Sequence, residues 1–143
     1  MVDAEPKGPL PRDRRAPVDV PLTHFAEFSQ IRKVLLLTGA PIAFGMVAGF
    51  ALNTWVPLWW AMQALGALGA VTSGREHTTR FGAAGRGAVV GAVFALTVLV
   101  VGAITTGSED IVTLGEPAGF VTIAIIASAG LHTAGVRRLR IAG

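Results

Sequence analysis

Few residues in this chain are able to do chemistry. Glu76 and His77 are adjacent in a polar central segment, and His132 lies near the end of the last apolar stretch. Two imidazoles and a carboxylate are adequate ligands for zinc, but their spacing matches no ligand pattern, so neither a metal nor a cofactor is expected. His24 stands alone near the N-terminus. Ser73, Ser108 and Ser128 have no base placed with them as a nucleophile requires, and no paired carboxylates suggest acid–base work. The chain has no cysteine, which removes disulfides, thiolate metal sites and cysteine nucleophiles together. Gly82-x-x-Gly85-x-Gly87 is glycine-rich like a phosphate loop, but an apolar run follows it and no strand precedes it. It reads as a flexible entry to the next helix. No catalytic residue is expected, and the chain is not read as an enzyme.

What remains are polar side chains inside apolar stretches: Thr38, Asn53, Gln63, Thr97, Thr122, Ser128 and His132. Hydroxyls there can bond back to their own helix. Gln63 is the most suggestive, near the middle of an apolar segment. It would make an interhelical hydrogen bond or line a path, and the hydrogen bond is the commoner use. No ionisable residue sits at the centre of a span, where transporters place theirs.

The elements that position these residues follow from hydropathy. Only 15% of residues are charged, against about 25% in a soluble domain. Four uncharged apolar stretches cover about 34–55, 56–72, 87–105 and 117–134. A helix needs about 20 such residues to cross a bilayer. The fold class expected is therefore an all-α integral membrane protein with four transmembrane helices, arranged as two hairpins. The second stretch is the shortest, and a re-entrant hairpin is its alternative. Residues 1–22 hold Pro6, Pro9, Pro11, Pro17 and Pro21 and read as a disordered tail. Over 23–33, Phe25, Phe28 and Ile31 recur every third residue, as in a short interfacial amphipathic helix with Thr23 as its cap. Residues 137–143 form a basic C-terminus.

Charge sets the orientation. Lys7, Arg12, Arg14, Arg15, Arg32 and Lys33 precede the first span, and Arg75, Arg80 and Arg86 lie between the second and third. Arg137, Arg138 and Arg140 follow the fourth. These are all 12 basic residues, and four spans put every one on the same side. By the positive-inside rule both termini are cytoplasmic. Trp55, Trp59 and Trp60 then mark the outer surface, with Glu109, Asp110 and Glu116. Arg75, Arg80, Arg86 and the C-terminal arginines are read as contacts for lipid headgroups or an acidic partner. The sequence pI near 10.6 has this topological cause, so no nucleic-acid partner is expected.

Small residues recur every fourth position: Gly45 and Gly49, Gly66 and Ala70, Gly87, Gly91 and Ala95, Ala124 and Ser128, Gly130 and Ala134. Lipid gives helices no hydrophobic reason to associate, so close approach along such stripes matters. The partners implied are the bilayer and either further copies of the chain or other membrane subunits. The abundance of Ala, Gly, Val and Arg fits the plasma membrane of a bacterium with a GC-rich genome. The expected role is a non-catalytic subunit or scaffold, with a homo-oligomeric pore or small-solute transporter as the alternative.

Overall fold

The computed structural model describes residues 24–106 and 116–136. The tail over 1–22, Thr23, Glu109, Asp110, Arg137, Arg138 and Arg140 lie outside the described residues. Among the described residues every regular element is helical.

The first helix, α1 (Gln30–Thr54), starts at Ser29, whose hydroxyl accepts the Arg32 N–H at 3.3 Å. Pro41 has no N–H, and its ring would strike the carbonyl of Leu37 in a regular turn. The helix widens just before it into a π turn, Leu35–Gly39, where the Ala40 N–H donates to the Leu35 carbonyl. One extended residue, Trp55, separates α1 from α2 (Val56–Gly74). Pro57 enforces this break, because it would collide with the Asn53 carbonyl if the helix ran on. A short turn leads to α3 (Arg80–Thr106), whose start is capped by the Thr79 hydroxyl accepting the Gly82 N–H at 3.1 Å. The last helix, α4 (Pro117–Gly135), opens on a proline, where the missing N–H costs nothing.

Two expectations change here. The glycines Gly82, Gly85 and Gly87 lie on α3 and not in a loop, because the Thr79 cap starts the helix a full turn and more before Gly87. Residues 23–33 do not form one amphipathic helix. The described part is a 3-10 turn, Phe25–Glu27, then extended backbone at Phe28 and Ser29, and then α1.

Three helices, α1, α3 and α4, are long and apolar enough to cross a membrane. At 19 residues α2 is as long as α4 but does not join them. Pro57, two tryptophans, Gln63 and three glycines dilute its apolar character.

The four helices form a ring. α1 packs against α2 and α3, and α4 packs against α2 and α3. Small residues set these contacts. A Cβ on Gly45 would come within 2.8 Å of the Thr97 Cβ, and one on Gly49 within 2.9 Å of Val101, so α1 lies directly on α3. Gly87 and Gly91 seat α4 likewise: their Cβ atoms would lie 2.6 Å from the Ser128 carbonyl and 2.5 Å from that of Ala124. Gly74 and Gly135 mark the tightest crossing, where a Cβ on either would overlap the facing backbone carbonyl of His132 or Val71. Ala95 is fully buried, and Gly66 receives the edge of the Phe44 ring. Toward Trp55 the ring is filled by Ala48, Ala51, Trp59 and Val98, with Leu52, Met62, Phe94 and Phe120 packed around them.

Candidate functional site

The end of the bundle opposite Trp55 gathers the ionisable groups of the described residues, Glu116 excepted. It contains Arg32 and Lys33 at the start of α1, the turn over 75–79, Arg86 on α3 and His132 on α4. Arg86 is the centre of this group. It lies more than one turn and a half into α3, on a face that lines the space between the helices, and is only 7% exposed. A buried guanidinium must be paired, and Glu76 accepts from Arg86 Nη1 at 2.5 Å. The expectation that Arg86 meets lipid headgroups is therefore corrected. The α3 start at Arg80 rotates Arg86 inward, and the turn after α2 brings Glu76 to it. Arg75 and Arg80 are exposed.

The segment before α1 closes over this pair. The Phe25 backbone N–H donates to the Glu76 carbonyl at 3.0 Å. The Phe25 ring lies 4.4 Å from the Arg86 guanidinium carbon and 5.1 Å from the His77 ring. Phe28 is buried, meets Phe25 edge-on at 5.7 Å, and carries Arg32 over its other side at 3.8 Å. Lys33 Nζ donates to the Ala26 carbonyl at 3.0 Å, tying the strap to α1. Of the three residues expected on one apolar face, Phe25 and Phe28 are spent on this clasp, while Ile31 is 76% exposed. A guanidinium over an aromatic face gains about 0.5–2 kcal/mol, more as water is excluded.

Both histidines belong to the same cluster. His132 is 2% exposed, and its Nδ1 lies 2.8 Å from the Ser128 carbonyl. A carbonyl oxygen only accepts, so that nitrogen carries the proton and Nε2 is left as an acceptor. Burial holds the pKa of His77 below its ordinary 6.5, and the charge of Arg86 adds to this more than Glu76 offsets. His77 Nε2 is buried with no hydrogen-bond partner. Among the described residues no group of three His, Cys, Asp or Glu side chains is placed to hold a metal ion.

Inside the ring, next to Arg86, lies a cavity of about 430 Å³ bounded by all four helices. Its walls are mostly apolar, with Leu36, Pro41, Phe44, Val90 and Phe94 among them. Five polar side chains reach it: Gln63, Ser73, Arg86, Ser128 and His132. Gln63 does not make the interhelical hydrogen bond expected of it. Its Nε2 is buried and has no partner, and the residue lines this cavity. The interhelical bond falls instead to Asn53, whose Nδ2 donates to Thr105 Oγ1 at 2.7 Å near the other end. Thr38, Thr97 and Thr122 bond back to their own helices at 2.8 Å.

The small residues expected to pack helices divide between two surroundings. Gly45, Gly49, Gly87, Gly91 and Ala95 lie in helix contacts, while Gly66, Ala70, Gly91 and Ser128 also line the cavity. The element missed from sequence is the Arg86–Glu76 pair with its Phe25 lid. Its available signal was a Glu ten residues before an Arg, across a turn that sequence alone leaves undefined. No protein-family model, curated protein or solved structure matches this chain.

Proposed function

We propose that this chain is a four-span protein of the plasma membrane, both termini cytoplasmic, acting as a non-catalytic component of a membrane assembly. The observation that carries the assembly role is how its small residues are divided. Those on the inner faces are used up within one bundle, while Gly119 and Gly130 on α4 have nothing within 4 Å of where a side chain would start. Without hydrophobic drive in lipid, an outward face of this kind gains packing only from another helix. Two facts favour α2 as a span: it is about 28 Å long at 1.5 Å per residue, and Arg75, Arg80 and Arg86 follow it at the same end as Arg32 and Lys33. The composition favours a bacterium with a GC-rich genome.

The pore or transporter reading has less support. Gln63 faces the cavity of its own bundle, so it does not line a path between copies. Trp59, Val98 and Met62 pack the bundle beyond the cavity.

Two measurements test the proposal. Single cysteines at Thr78 and Glu116, introduced into the cysteine-free chain, should be labelled from opposite sides of the membrane, Thr78→Cys only from the cytoplasm. Labelling of both from one side would overturn the topology. Native mass spectrometry of the chain drawn gently from its own membrane should show copies or companion subunits bound. A strictly monomeric species would overturn the assembly role.

A further inference from the structure

The cavity beside Arg86 has features that packing does not require. Arg86 is more than nine-tenths buried, yet its Nε–H has no acceptor, and Nε2 of the half-buried Gln63 is likewise an enclosed donor without one. An unmet buried donor costs about 1–3 kcal/mol. Both residues border one cavity, whose remaining walls are apolar apart from Ser73, Ser128 and His132. At about 430 Å³ it falls within the range of ligand sites, roughly 300–1,000 Å³. Leu65 and Gly69 on α2, and Ile123 and Ala127 on α4, belong to its wall and are exposed on the flank of the bundle. It is therefore reached from the side that faces lipid, and not only from an end.

We infer that this cavity binds an uncharged amphiphile whose carbonyl-bearing head accepts hydrogen bonds from Arg86 Nε and whose apolar chain lies along Phe44, Val90 and Phe94. Charge decides against the alternatives. Arg86 is already neutralised by Glu76, and no carboxylate lines the cavity, so neither an anionic nor a cationic head finds an unpaired opposite charge there. Ester and ketone carbonyls supply the missing acceptors without adding charge. Gln63 lies ten residues before Ser73 on α2, about 15 Å along the axis, and offers a second donor deeper in the apolar part. A diacylglycerol from the bilayer and a free ketone-headed isoprenoid share this chemistry. The inference stands apart from the assembly role and uses only the membrane setting.

The test uses the full chain in phosphatidylcholine nanodiscs with a diacylglycerol carrying a photoreactive group on one acyl chain. Labelling should saturate and map to the cavity-facing residues of α2, α3 and α4. Unlabelled dioleoylglycerol or decylubiquinone should compete, and the stronger competitor identifies the source. Dioleoylphosphatidic acid and hexadecane should not compete. Ala70→Leu, which fills the cavity, should abolish the saturable part, and Gln63→Leu should weaken it about tenfold, the worth of one hydrogen bond near 1.4 kcal/mol. A thermal transition on each variant checks folding. Labelling that never saturates, that spreads evenly over the outer faces, or that survives both substitutions would overturn the inference. Equal competition by phosphatidic acid or hexadecane would overturn the ligand class.

Discussion

At the Trp55 end the bundle is closed by bulk: Trp59, Val98, Leu52 and Met62 fill the ring, and among the described residues a cross-helix polar contact joins Asn53 to Thr105. At the Arg86 end the helices cross on glycine, with backbone against backbone at Gly74 and Gly135. The space this leaves beside the crossing holds a buried ion pair, two histidines and a cavity. The contrast shows what bulk and small residues each do in a membrane. Large side chains fill space and leave no room for a ligand. Glycines bring two backbones together at one level, and the helices can then part elsewhere along their length. A bundle wanting a cavity at one end and a solid stop at the other is served by this division.

The contrast is broken most directly at the glycine crossing. Gly135→Leu places a side chain onto the Val71 carbonyl, and no rotamer relieves a clash between backbones. The expected loss is about 3 kcal/mol, read as a lowered denaturation midpoint in mild detergent micelles. A tolerated Gly135→Leu would mean the crossing is looser than this geometry. Next comes the ion pair. Arg86→Met leaves Glu76 facing a closed end, with an expected loss of about 2–3 kcal/mol, below the 3–5 typical of full burial because the Glu76 side chain keeps 30% of its surface exposed. Adding Glu76→Gln should restore part of that loss. If the double variant is no better than the single, the two residues are not coupled.

Trp59→Ala probes the opposite end and should cost less, about 1–2 kcal/mol. In a water-soluble core the same change costs about 3–5 kcal/mol, but part of that is transfer from water. Here the unfolded reference is still in lipid, so only packing is lost. A loss larger than that of Arg86→Met would reverse the ranking of the two ends. The smallest effect concerns His77. Its pKa lies below 6.5 when folded, so the unfolded chain takes up the proton first as pH falls. Stability should therefore be flat above about pH 6.5 and decline below it, through the folded pKa. An NMR titration of the His77 ring should give a midpoint under 6.5, and Arg86→Met should raise it. A midpoint at or above 6.5 would show that His77 is not enclosed by the Phe25 lid.

The sequence alone determined what depends on composition and local order. Uncharged apolar runs, prolines at 57 and 117 that start helices, and basic residues grouped into three segments between those runs are all properties of the chain read in one dimension. Threonines bonding back to their own helices follow for the same reason. The packing roles of Gly45, Gly49, Gly87 and Gly91 were legible as a spacing, but the spacing did not say which helix each would meet. Only the tertiary structure decided that Arg86 turns inward, because this depends on the helix starting at Thr79 and on Glu76 arriving from another element. It also decided that Phe25 and Phe28 close over that pair and do not lie in the interface. Gln63 shows the difference most plainly. Its polarity in an apolar helix marked it from the start, but whether it found a partner was a question about four helices at once. They part beside it, and it lines the cavity.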